Sequence, residues 1–159
     1  MSEATVLNIP GVCYSPDKAT SGFKLNHTML RVKDPKTSLD FYTRILGMKL
    51  LRKVDFNEWK FSLYFLGLTS EDFSGANDLR SSVARLEGVL ELTHNHGTEA
   101  LAETPYINGN TEPHRGFGHI CISVPNIQEA CARFEKLGVN FKKKLGEGGM
   151  KDIAFILDP

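Results

Sequence analysis

Residues 27–47 and 119–138 follow one pattern. In the first, His27-Thr-Met-Leu-Arg-Val runs into DPKTSLDFYTRILG and stops at Gly47; in the second, His119-Ile-Cys-Ile-Ser-Val runs into PNIQEACARFEKLG and stops at Gly138. The two His-to-Gly spans differ by one residue, so a single gap aligns them. A duplicated strand–helix unit with a histidine at the same place in each first strand points to a two-fold pseudosymmetric site. The first copy continues to a strand carrying Glu91. The second reaches Pro159 before an equivalent strand, so the repeat predicts one strand fewer in it.

At 159 residues the chain fits one domain or two small modules sharing a core. Nineteen basic and nineteen acidic residues cancel to a formal charge of zero. That balance argues against nucleic acid or an anionic membrane as partner, which both demand excess Lys and Arg, and leaves small molecules and other protein chains. No apolar run is long enough to span a bilayer, and the first residues lack the basic-then-apolar pattern of a signal peptide. Cys13, Cys121 and Cys131 form no CxxC pair and read as free thiols of a reducing, cytoplasmic compartment.

Punctuation by Gly and Pro divides the chain into an irregular arm (1–22), a first module (23–95), a linking loop (96–114) and a second module (115–159). Strands are expected at 23–32, in KLLRKVDF and WKFSLYFLG around a turn near Asn57, and in VLELTHN. Asp34-Pro35 opens a helix with an apolar face of Leu39, Phe41, Tyr42, Ile45 and Leu46. TSEDFSGANDLRSS reads as a polar loop. The second module repeats the order with RGFGHICISV, a helix, VNFKKKL, the turn GEGGM and a final strand KDIAFILDP.

Side chains two apart on a strand share a face. By that rule His27 pairs with Arg31, Glu91 with Asn95, and Arg115 with His119, each potential ligand having a polar companion on its side. Two imidazoles and a carboxylate suit a borderline divalent metal, Zn²⁺ or alternatively Ni²⁺. Two guanidinium groups and an amide suit a small substrate bearing carboxylates. A lone strand histidine is more often a hydrogen-bonded core residue than a ligand; the repeat is what weighs against that. Glu91 in an apolar run must be exposed, paired or metal-bound. His94, His96 and His114 fall at loop margins and read as solvated, and Lys142 to Lys144 as a solvated edge.

HTMLRVKDPKTSLDFYTRILGMKLL, KFSLYFLG, VLELTHNHGTE, NGNTEPHRGFGHICISV and MKDIAFILDP resemble glyoxalase I, the lactoylglutathione lyases, within the vicinal oxygen chelate superfamily. They look most like one half of the double-length fungal enzymes. The resemblance implies an α+β fold of paired βαβββ modules, the second here lacking its last strand. It also implies a metal held by side chains of both modules: His27, Glu91 and His119 match ligand positions. Arg31, Asn95 and Arg115 match positions holding glutathione, and Lys143, Gly149 and Met150 the loop that closes over it. His96 stands where the family has Trp.

The implied reaction isomerises the hemithioacetal of methylglyoxal and glutathione to S-lactoylglutathione through an enediolate. The family's fourth ligand and main base follow the final Asp-Pro, so Glu91 is expected to act as ligand and base together. This length is then expected to bind metal weakly and turn over slowly, as a homodimer or as half of a double-length chain. Two other readings stand beside the lyase. One is an Fe(II) ring-cleaving dioxygenase, which also uses two histidines and a glutamate. The other is a non-catalytic module binding glutathione conjugates or small molecules.

Overall fold

The computed structural model describes residues 9–71 and 83–159. The first unit is a sheet of β1 (His27–Val32), β2 (Lys49–Phe56), β3 (Phe61–Gly67) and β4 (Val89–Asn95), in the spatial order β1-β4-β3-β2. β1 and β4 run parallel and the other neighbours antiparallel. Between β1 and β2 lies α1 (Pro35–Asp40), continued by a π-helical turn (Phe41–Ile45). Asp34 starts it, one carboxylate oxygen accepting from the Lys36 amide at 2.8 Å and the other from the Thr37 hydroxyl at 2.9 Å. Gly47, at φ 76°, ends it in a conformation that costs a residue without Cβ little.

Period-two burial sorts β1 cleanly: Thr28, Leu30 and Val32 turn to the core, and His27, Met29 and Arg31 outward. The core joins Val32, Leu90, Leu92, Tyr64 and Leu66 of the sheet to Phe41, Tyr42, Ile45 and Met48.

The second unit holds a two-stranded ribbon of β5 (Asn110–Thr111) and β6 (His114–Arg115), then α2 (Ile127–Lys136), and a pair of β7 (Phe141–Lys143) and β8 (Phe155–Ile156). Asn126 caps α2 reciprocally with Glu129, accepting from its amide at 3.1 Å and donating to its carboxylate at 2.8 Å. Ile120, Ile122, Phe134, Val139 and Ile156 pack against the first unit's core.

Polar links also cross the joint. Arg133 of α2 donates to the carbonyls of Ile45, at 2.5 Å, and Arg44, at 3.0 Å, which lie at the end of the first helix and lack helical partners. The Tyr42 hydroxyl donates to Asp158 at 3.0 Å.

The expected strand 115–124 is corrected by the structure. Pairing stops at Arg115, and 116–124 joins no ladder among the described residues. In the first unit β1 takes its ladder from β4; no described segment runs beside 116–124 in that way. The alternation survives without the ladder, with Ile120 and Ile122 half-buried and His119, Cys121 and Ser123 exposed. The expected strands 139–145 and 151–159 shrink to β7 and β8 for the same lack of neighbours. The polar loop at 69–82 lies outside the described residues from 72 onward, as does the arm before residue 9.

Candidate active site

Parallel pairing of β1 with β4 sets Met29 opposite Glu91, with His27 one pleat away on the same face. His27 Nε2 lies 3.2 Å from Glu91 Oε2. The other carboxylate oxygen accepts from the Thr93 hydroxyl at 3.2 Å, and Phe65 and the His27 ring meet perpendicular to each other with centroids 5.9 Å apart. The His27 side chain is 42% exposed and that of Glu91 13%. The Thr93 hydroxyl is the fixed donor to this carboxylate in an apolar strand, and the His27 ring stands beside its other oxygen.

Arg31 stands further along this face, its Nη1 4.0 Å from Met29 Sδ. Asn95 ends the β4 row, its Oδ1 accepting from the Tyr106 hydroxyl at 3.1 Å. That leaves the Asn95 NH₂ as the group on offer to a ligand.

The second-unit candidates lie elsewhere in the chain. His119 is exposed, its ring nearly perpendicular to that of Phe155 with centroids 5.6 Å apart. Arg115 is ion-paired with Glu112, its Nε 2.8 Å from Oε1. Lys143 donates to the carbonyls of Met150 and Ile153, both at 2.7 Å, and so clasps its own loop. Gly149 and Met150 lie in that loop, exposed. Among the described residues no three His, Cys, Asp or Glu side chains gather to hold a metal. His27 and Glu91 come together, with Arg31 and Asn95 on their face; His119 does not join them within one chain.

The His27–Glu91 pair nonetheless fits a divalent ion. Two donors each about 2.0–2.2 Å from one ion, at tetrahedral or octahedral angles, stand about 2.8–3.6 Å apart, and the pair is separated by 3.2 Å.

His94 corrects the expectation of a solvated loop histidine. Parity with Leu90 and Leu92 puts it on the core side, 7% exposed, with Nε2 2.7 Å from Glu99 Oε2. The Glu99 carboxyl is held below the usual carboxylate range by its own backbone amide first and by His94 next. His96 Nε2 lies 2.8 Å from Ser62 Oγ, which donates to Asp55 Oδ1 at 2.6 Å. His114 is exposed, as its loop position implies.

An aromatic surface on the same sheet face escaped the sequence reading. Phe61, Leu63 and Phe65 of β3 register against Asn95, Thr93 and Glu91. Phe56 stacks on Phe61 with centroids 4.7 Å apart and on Trp59 at 5.6 Å. The alternation in FSLYF carried the signal; placing its face beside Glu91 needed the register. The assembled face offers an imidazole, a carboxylate, a guanidinium and an amide beside aromatic rings. That combination suits a divalent cation together with an anionic, partly apolar small molecule.

A family model described as "Glyoxalase/Bleomycin resistance protein/Dioxygenase superfamily" matches residues 24–159. The chain is 57% identical over 152 residues to a lactoylglutathione lyase of Pseudomonas aeruginosa, covering 94% of this chain and 85% of that protein. It is 57% identical over 141 residues to the lactoylglutathione lyase of Schizosaccharomyces pombe, covering 87% of this chain and 45% of that protein. The likeness to half of a double-length fungal protein is therefore matched by a bacterial one of nearly this chain's length. Among solved structures, glyoxalase I of Leishmania major, described as trypanothione-dependent, superposes with a TM-score of 0.60 at 36% identity, covering 86% of this chain and 80% of that one.

Proposed function

The chain belongs to the glyoxalase/bleomycin resistance protein/dioxygenase superfamily, and from that premise we propose that it is a lactoylglutathione lyase. As such it is a carbon–sulfur lyase that isomerises the methylglyoxal–glutathione hemithioacetal to S-lactoylglutathione. The 57% identity to a lyase of which it covers 85% supports the activity. The observation that carries the chemistry is the His27–Glu91 contact at 3.2 Å on an open sheet face.

Glu91 is the proton carrier at the substrate carbon. Its carboxylate is fixed by the Thr93 hydroxyl and lies largely out of water, and a carboxylate within hydrogen-bond reach of the substrate carbon's proton is what the transfer needs. His27, Glu91 and His119 are the residues that would hold a divalent ion, Zn²⁺ or Ni²⁺ by donor type. When bound, such an ion supplies Lewis-acid stabilisation of the charge that develops as the proton leaves. Arg31, Asn95 and Arg115 orient the glutathione carboxylates and amides, with Lys143, Gly149 and Met150 in the covering loop.

His27 and His119 each face away from the core that joins the two units, and among the described residues one chain does not gather them with Glu91. With His119 supplied by a second copy, the His27–Glu91 pair of the first would gain a third ligand. Thioester formation from methylglyoxal and glutathione, measured against Zn²⁺ and Ni²⁺ and against protein concentration, tests the reading. Turnover that needs metal and rises more than linearly with protein is expected. No thioester with either ion overturns the lyase assignment; turnover by a monomer overturns the shared site. The three cysteines are free and no described helix is long and apolar enough to cross a membrane; the thiols suit the cytoplasm.

A further inference from the structure

The side chain before His27 fixes which of its nitrogens is free. Asn26 Nδ2 lies 3.0 Å from the Val83 carbonyl oxygen and 2.8 Å from that of Leu86, while Asn26 Oδ1 lies 2.7 Å from His27 Nδ1. Backbone carbonyls accept and cannot donate, so the atom facing both must be the amide nitrogen. The amide is thereby held one way round, and its oxygen must be what His27 meets. An oxygen there accepts, so His27 Nδ1 carries a proton, and in the neutral ring that a metal requires Nε2, on the Glu91 side, is the nitrogen with a lone pair to give.

We infer that Asn26 is a positioning residue. It locks His27 in the Nδ1–H tautomer and ring orientation that presents Nε2 to a divalent metal, anchored on the 83–86 turn. The inference rests on His27 being a metal ligand. It adds that the carboxamide of Asn26, and not packing around the ring, selects the ligating nitrogen. A hydrogen-bond acceptor behind a ligating imidazole is the usual device for fixing its tautomer, and losing one costs about 10- to 100-fold in metal affinity.

The test compares three variants with the unmodified protein, by Zn²⁺ affinity from chelator competition and by ¹⁵N–¹H spectra of the imidazoles in the Zn²⁺-loaded protein. Unmodified protein is expected to show His27 protonated at Nδ1. Asn26→Leu loses that signal and about tenfold or more in Zn²⁺ affinity. Asn26→Asp keeps an acceptor for Nδ1–H but presents oxygen to the Val83 and Leu86 carbonyls. It should melt at lower temperature while keeping both the tautomer and Zn²⁺ affinity within about threefold of the unmodified value. An Asn26→Asp variant as weak in metal binding as Asn26→Leu makes Asn26 a structural anchor alone and overturns the inference. So does an Nε2–H tautomer in the unmodified protein, or an Asn26→Leu variant with unchanged affinity. A His27→Ala variant with unchanged Zn²⁺ affinity removes the ligand reading itself, and the inference falls with it.

Discussion

The hydroxyl of Tyr42, at 2% exposure in the heart of the first unit, donates to the carboxylate of Asp158 in the second, 3.0 Å away. Burial pushes the Tyr42 phenol far above its ordinary value, and the negative charge of Asp158 pushes it further. In the unfolded chain Tyr42 ionises near pH 10 while the folded chain keeps its proton, so above about pH 10 folding stability falls by up to about 1.4 kcal/mol per pH unit. Tyr42→Phe should cost about 1 kcal/mol at neutral pH, where one hydrogen bond is lost. It should also flatten the alkaline decline. Denaturant melts at pH 7 and above pH 10 check both.

Replacing Glu91 by Gln keeps the side chain's shape and an oxygen for Thr93 but removes the proton acceptor. Turnover should fall at least about a hundredfold, with the melting temperature little changed. A loss of stability with turnover retained would place Glu91 outside the chemistry.

Tyr106 holds the oxygen of Asn95 and so aims its NH₂ at the open face. Tyr106→Phe frees that amide to turn. One hydrogen bond's worth of orientation, about 0.5–1.5 kcal/mol, should raise KM about 2- to 10-fold with kcat nearly constant. Steady-state kinetics and the affinity for an S-alkyl glutathione read the split.

The Asp55 carboxyl is held below the usual carboxylate range, first by the Ser62 hydroxyl and then by Lys53, 2.9 Å away. A depressed carboxylate stabilises the fold above its unfolded value, about pH 4, and that contribution is lost as pH falls toward the folded value. Ser62→Ala removes the leading cause, so the variant should lose less stability than the unmodified protein between about pH 5 and about pH 3. Urea midpoints across that range measure the difference.

The duplicated pattern and strand parity made the first unit and the His27, Arg31, Glu91 and Asn95 face readable from residues alone. Adjacency of His27 and Glu91 was not, because it depends on a parallel register between segments joined through two other strands. His94 was misread because a position at a strand's end looks like a loop until its side is known. The strand at His119 failed for a related reason: alternation names a face, whereas a ladder needs a neighbour far away in sequence. Asn26 carries no local signal, since its role lies in carbonyls of residues 83 and 86.

Arg133 grips the backbone of Arg44 and Ile45, not their side chains. Its clasp is blind to what amino acids the first helix carries there. That surface can drift in composition while the modules stay joined. A change in the path of the helix end, such as a proline at position 46, would release the grip where no swap of exposed groups could.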